Sequence, residues 1–271
     1  LGIGHAAHDL TANGARLGGT VAYSALTARA LGMKAGIVTA VGKETPLNAL
    51  DGIPITSIES PHSTTFENIY TDAGRAQYLR AQAEKIDLDS VPASWRNASI
   101  IHLGPIANEM DSSLPDDLSP VLLGVTPQGW MRRWDSSGRV SRSEWSDSES
   151  VLHKANAVVI SREDVNGDHE LIEQMAHQTR MLVVTEGAEG CVLHWNGDRR
   201  RFRAPDVNEV DATGAGDVFA TAFFIRLLRT RDPWEAARFA TLIASISVTR
   251  VGLGGIPTQA EIESCLMEVL Q

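Results

Sequence analysis

The densest concentration of chemically useful residues is Asp211-Ala212-Thr213-Gly214-Ala215-Gly216-Asp217, two carboxylates bracketing Gly-Ala-Gly, with the apolar run Val218–Leu228 directly behind. Small residues let a backbone turn its N–H groups outward, and the first four N–H groups of a helix have no intrahelical partner. The pattern predicts an anion cradle at a helix N-terminus. Asp217 falls in the first turn, where the helix dipole favours its ionised form, so a carboxylate stands beside the anion. A purely structural turn with a capping Asp would show the same spacing, and the rest of the chain has to decide between the two.

An anion bound there has to be held locally. The net charge is −10, and no Lys/Arg cluster offsets it along one face. Nucleic acid is therefore disfavoured as a partner, because neutralising phosphates requires concentrated positive charge. A dinucleotide-binding opening would read Gly-x-Gly-x-x-Gly, but Gly2-Ile3-Gly4 is followed by His5, Ala6 and Ala7. A P-loop would end in Gly-Lys-Ser/Thr, whereas Gly42-Lys43 precedes Glu44. Cys191 and Cys265 stand in no motif, which suits a reducing, cytoplasmic compartment. No apolar run approaches the roughly 20 residues of a membrane span, and the opening residues lack the pattern of a secretory signal.

The elements that must position these residues follow from periodicity. Ile37–Val41, Ile100–Leu103, Val121–Val125, Ala157–Ile160 and Met181–Thr185 are short, apolar and rich in β-branched residues, the pattern of strands buried on both faces of a mostly parallel sheet. Thr20–Leu31 has helical spacing, and Gly32 stops it. The last third reads as three helices, Ala215–Leu228, Pro233–Val248 and Thr258–Leu270. Strands alternating with helices predict a doubly wound α/β architecture in one domain over residues 1–271. Two hairpins interrupt it. Thr64–Tyr70 and Arg75–Arg80 alternate around Asp72-Ala73-Gly74 and form a candidate lid; Cys191–Trp195 and Arg200–Arg203 extend the sheet at one edge.

Asp-x-x-Gly-Ala-Gly-Asp resembles the signature of the ribokinase and phosphofructokinase-B type carbohydrate kinases. The resemblance implies a ribokinase-like sheet flanked by helices with a small β-hairpin lid, in segments at about 10–17 and 57–82. It implies that Asp217 is the base for the attacking hydroxyl, and that the amides of Gly214, Ala215 and Gly216 form the anion hole. Leu17-Gly18-Gly19, opening a helix, is similar to the family's sugar-side signature, and Asp9 matches its substrate-binding Asp. Thr185-Glu186-Gly187-Ala188-Glu189-Gly190 resembles its nucleotide-phosphate loop, which carries Thr185, Gly187 and Gly190 to the ATP side. Ala244–Arg250 and Gly252–Pro257 resemble the segments that enclose the adenine. Asp211 and Thr213 lie where some relatives hold a monovalent cation.

Departures from the family are informative. Its Asn-x-x-Glu motif, which organises water around Mg²⁺, is here Ser161-Arg162-Glu163-Asp164, so Asp164 is the expected ligand through water and Glu163 a competing one. Val21-Ala22-Tyr23 replaces a region where many members have Asn, and only nine residues separate Gly42 from Gly52. His8-Asp9, Ser63-Thr64-Thr65-Phe66-Glu67, and Gln128 with Arg132 are similar to the inositol-kinase-like branch, which implies a small polyol such as myo-inositol, with a sugar or nucleoside as the alternative. Gln128 and Arg132 follow a strand end, where ligands bind in open α/β sheets. The expected molecule is an ATP- and Mg²⁺-dependent polyol kinase, cytoplasmic, pairing through its lid as a homodimer. A nucleotide-binding regulator that kept the fold is the rival; the altered Ser161/Asp164 pair favours it, and the intact Asp217 loop opposes it.

Overall fold

The computed structural model describes residues 1–11, 14–71 and 74–267. Its strands in chain order are β1 (Gly2–Ile3), β2 (Ala7–Thr11), β3 (Gly14–Gly18), β4 (Ile37–Val41), β5 (Ile55–Glu59), β6 (Thr64–Thr71), β7 (Gly74–Ala81), β8 (Ile100–Leu103), β9 (Leu122–Val125), β10 (Arg132–Trp134), β11 (Val140–Arg142), β12 (Ala157–Ser161), β13 (Met181–Thr185), β14 (Cys191–Trp195) and β15 (Asp198–Phe202). The helices are α1 (Thr20–Ala30), α2 (Ser148–Lys154), α3 (His169–Gln178), α4 (Ala215–Thr230), α5 (Pro233–Ser247) and α6 (Gln259–Met267).

Nine strands form the main sheet in the order β15-β14-β13-β12-β9-β8-β1-β4-β5. From β13 to β5 every pairing is parallel, and the β14–β15 hairpin adds the antiparallel edge. Arg199, Arg200 and Arg201 are exposed on that edge strand, where charge discourages strand addition. One face of the sheet buries Phe223, Phe224 and Ala240 of α4 and α5, and the other buries Val151, Ile172 and Met175 of α2 and α3. A Cβ on Gly124 of β9 would lie 2.5 Å from the Phe224 ring, so this glycine lets α4 sit directly on the sheet. That contact fixes the helix whose N-terminus carries Asp217.

A second sheet, β3-β2-β6-β7, rises from the first. It is two hairpins joined by the parallel pair β2–β6, with Ala7, Phe66, Leu79, Ile106 and Ala107 as its own small core. Asp9, five residues beyond Gly4, lies on β2 in the small sheet. The large-sheet ladder breaks at His5 and Ala6 because their N–H groups donate to Glu109 Oε1 (2.9 Å) and Thr39 Oγ1 (2.8 Å), side chains that replace a strand neighbour. The expected lid segment at 57–82 begins too early, since Ile55–Glu59 pairs with β4 as the edge of the main sheet. The short connection after Gly42 holds a single 3₁₀ turn, Asn48–Leu50, in place of a helix. The C-terminal helix covers Gln259–Met267, and the expected continuation to Leu270 lies outside the described residues.

Candidate active site

The cradle forms as its composition predicts. Gly214 caps α4 with φ 79°, and no side chain caps the helix. A Cβ on Gly214 would lie 2.2 Å from the Tyr23 ring, so both its left-handed backbone and its contact demand glycine. Gly216 differs, because nothing lies within 4 Å of the Cβ it lacks. That open side is where an anion can approach. The Ala215 N–H donates to Ala212 O at 3.2 Å, whereas the N–H groups of Gly214, Gly216 and Asp217 have no backbone acceptor among the described residues. The cradle is thus built from the amides around Ala215 more than from its own.

Asp217 is half-buried in the first turn of α4. Burial pushes its carboxyl up to about 6, helped by the charges of Asp9 and Asp164 and opposed by the Thr20 hydroxyl and Arg132. The group therefore lies close to residues from four other segments: the small sheet, the start of α1, the end of the 3₁₀ turn after β9, and the turn after β12. Thr20 was not singled out in the sequence. It follows Gly18-Gly19 as the first residue of α1, and its hydroxyl bonds the Asp217 carboxylate.

On the acceptor side, Asp9 leans over Gly18: a Cβ there would be 1.9 Å from Asp9 Oδ2. Gly19 has φ 84° and passes so close to His5 O that a Cβ would sit 2.4 Å away. The paired glycines therefore let α1 begin directly beneath the small sheet. Arg132, opening β10, places its guanidinium 5.7 Å from the Phe66 ring centre and donates to Ile106 O at 3.2 Å. Glu109, fully buried, holds that loop by accepting the N–H groups of His5, Ile106 and Ala107. It too escaped notice in the sequence, where a lone Glu in a loop reads as solvated.

The donor side is assembled from strand ends. Gln128 Nε2 donates to Asp164 Oδ1 (2.8 Å), and Asp164 Oδ2 accepts the Ser161 N–H (2.8 Å). The shortened Ser161/Asp164 pair thus folds into its own tight turn and keeps a carboxylate facing Asp217. Glu163 is exposed and points away from this pairing. The Thr185 hydroxyl donates to Ile160 O at 3.3 Å. Gly187 (φ 58°) has open space around it, while Gly190 (φ 92°) packs where a Cβ would meet Phe202 O at 2.0 Å. Of the two, Gly187 is free to meet a ligand and Gly190 closes the turn onto β15. Glu186, immediately before Gly187, is ion-paired to Arg162 at 3.5 Å and to Arg201.

Asp211 joins the two loops beyond the cradle. Its Oδ1 accepts the Thr213 N–H and its Oδ2 the Gly252 N–H, both at 2.9 Å. Burial acts against its ionised form, but these bonds and the Thr213 hydroxyl hold the carboxyl below its usual range. Tyr23 lies under the same junction, and burial with the charges of Asp9, Asp217 and Asp211 pushes its phenol above its ordinary value. Of the described residues, five large apolar side chains are exposed, and three of them, Val207 (36%), Val210 (52%) and Val251 (46%), stand on these two loops.

Residues 147–259 match the pfkB family of carbohydrate kinases. The chain is 38% identical to a ribokinase of Bacillus subtilis over 35% of its length, a stretch spanning about a third (32%) of that enzyme. It is 26% identical to a fructokinase of Escherichia coli over 91% of both chains. A solved pyrophosphate-dependent kinase of the ribokinase family, complexed with a pyrophosphate analog and myo-inositol, superposes with a TM-score of 0.78 over 97% of this chain and 98% of that one, at 20% identity. The fold is that of the ribokinase family, and the sequence is related to its carbohydrate kinases.

Proposed function

We propose, from this kinship and from the site itself, that the protein is a Mg²⁺- and ATP-dependent kinase that phosphorylates a hydroxyl of a small polyol, with myo-inositol favoured over a sugar or nucleoside. The observation that carries the reading is Asp217: a half-buried carboxyl with a pKa raised to about 6, adjoining unpaired helix N-terminal amides on one side and Asp9 on the other. A base tuned near the working pH accepts a hydroxyl proton efficiently and is still ionised at neutrality.

Phosphoryl transfer has a loose transition state, so the protein mainly aligns the reactants and stabilises charge on the equatorial oxygens. The N–H groups of Gly214, Gly216 and Asp217 face that charge. The Thr20 hydroxyl orients the Asp217 carboxylate, one oxygen of which takes the acceptor proton late in the transfer. Arg132 opposes the rise that burial, Asp9 and Asp164 impose on the Asp217 carboxyl. Asp9 supplies two acceptor oxygens that suit neighbouring hydroxyls of a cyclic polyol. Mg²⁺, when bound with the donor, neutralises phosphate charge; Asp164, tethered by Gln128 and facing Asp217, fits it through water better than the exposed Glu163. The exposed valines on the two loops beyond Asp211 suit a flat nucleotide base, which supports ATP as donor. The small sheet, as a lid, excludes water from the transfer.

The test is product formation with Mg²⁺ across polyols, sugars and nucleosides, with ATP and inorganic pyrophosphate each supplied as donor. Turnover of a polyol with ATP supports the assignment. Turnover with pyrophosphate alone would remove the nucleotide, and binding of ATP with no turnover on any acceptor would favour the regulator.

A further inference from the structure

One arginine near this site stands on β3, just ahead of the Leu17-Gly18-Gly19 signature and outside it. β3 is the outer strand of the small sheet, and Arg16 on it stands directly opposite Asp9 of β2. Directly opposed residues in an antiparallel pair share a face. Asp9 and Arg16 therefore project from the same face, the one on which Asp9 overhangs Gly18. Both charges reach Tyr23, but Asp9 also acts on Asp217, whereas Arg16 acts on Asp211 at the junction of the cradle with the Gly252 turn. Strand β3 packs against that turn, Gly252–Gly255.

Arg16 is exposed and makes no ion pair among the described residues. Asp211 is already served by two backbone N–H groups, so it does not need the guanidinium for its hydrogen bonds. An exposed arginine beside an open anion cradle has five donors to offer in a fork that matches two phosphate oxygens. We propose that Arg16 is a phosphate-contacting residue of this active site, carried by the small sheet and meeting the donor's terminal phosphate from the side of the acceptor. Loops and sheets that close over a donor can thereby couple closure to charge stabilisation, since a guanidinium delivered in cis counts only when the lid is down. The competing reading is a cross-strand partner that merely steadies Asp9.

The proposal rests on the phosphoryl-transfer reading, and two measurements separate its failure from failure of that reading. In calorimetry without acceptor, Arg16→Ala and Arg16→Gln are expected to weaken binding of MgATP and of inorganic pyrophosphate about tenfold or more relative to wild type, with Arg16→Lys between, because a single ammonium keeps the charge and loses the fork. In steady-state assays on whichever acceptor is turned over, kcat is expected to fall about 10³-fold, the lower end of arginine contributions to phosphoryl transfer, while acceptor KM stays within about twofold. Unchanged donor affinity and kcat overturn the proposal. So does a loss confined to acceptor KM, which would make Arg16 a support for Asp9. Wild type that binds the donor but phosphorylates nothing overturns the acceptor assignment and leaves the calorimetric arm decisive, and wild type that binds neither donor removes both readings. Melting curves of the three variants, expected to match wild type for an exposed strand residue, keep unfolding from imitating the result.

Discussion

The two sides of the cleft are made in different ways. The phosphoryl side is seven consecutive residues, Asp211 to Asp217, held by one helix whose Phe223 and Phe224 are buried against the main sheet. The acceptor side draws Asp9 from β2, Phe66 from β6 and Arg132 from β10, three segments far apart in the chain and joined through the small sheet. The difference follows from what each must recognise. A phosphate is met by backbone N–H groups that every helix N-terminus leaves free. An acceptor's pattern of hydroxyls needs side chains from several directions, so it changes whenever any one strand changes.

The largest effect is expected on the contiguous side. Asp217→Asn should keep the fold and donor affinity but lower kcat about 10²- to 10⁴-fold, the range for removing a positioned base; near-normal turnover in steady-state assays would dissolve the contrast, since Asp217 would then be only a cap. The two cradle glycines should separate next. Gly216→Val meets open space, so kcat/KM should drop about 10²-fold as the branched side chain takes the phosphate's place, with melting little changed. Gly214→Ala should instead melt several degrees lower, since a left-handed alanine costs about 1–2 kcal/mol and its Cβ meets Tyr23. Thermal melting read beside kinetics distinguishes them, and equal destabilisation by both would mean the cradle is structural.

On the dispersed side, Asp9→Ala is expected to raise acceptor KM about 10- to 100-fold, the loss of a charged hydrogen bond of about 1.5–3 kcal/mol, with donor KM unchanged. Equal effects on both KM values would place Asp9 in a general structural role. The smallest effect links the two sides through pH. Because the base must be ionised, kcat/KM should rise as pH increases through about 6, the value to which burial, Asp9 and Asp164 lift Asp217. Asp164→Asn removes one of the negative charges that raise it, so the acid limb of the profile should move to lower pH. An acid limb that stays in place would show that the two carboxylates do not sense each other. The same raised pKa has a stability consequence: a carboxyl that holds its proton more tightly when folded adds stability at low pH, and that contribution is lost as pH rises through about 6.

Much of the Asp211–Asp217 loop was legible because its information is local. Small residues, a helix of matching polarity and a carboxylate at a fixed offset sit within one stretch of chain, and α4 begins at Ala215 as its spacing predicts. The central strands of the main sheet were likewise visible within a residue or two, since a strand buried on both faces is apolar throughout, whereas the edge strand β5 had been given to the lid. The β2–β3 hairpin was not. Its two five-residue strands, AHDLT and GARLG, are polar and glycine-rich, with little alternation to mark them, so Asp9 was noted without the strand that carries it. Thr20 and Glu109 carried no signal at all, and Tyr23 stood out only within a segment that departs from the family. Each is an ordinary residue whose role depends on what lies across from it.

Sequence alone determined the local form of the Asp211–Asp217 loop and the class of the fold, because the backbone conformation of a Gly-Ala-Gly turn and the periodicity of buried strands are decided by near neighbours. Tertiary structure decided which carboxylates share one field, which glycine faces ligand and which faces Tyr23, and that Arg16 shares a face with Asp9. Those outcomes depend on strand register and on how closely α1 and α4 approach the sheet. Register is set by burial of a whole face of the sheet, a collective property that no single stretch of chain contains.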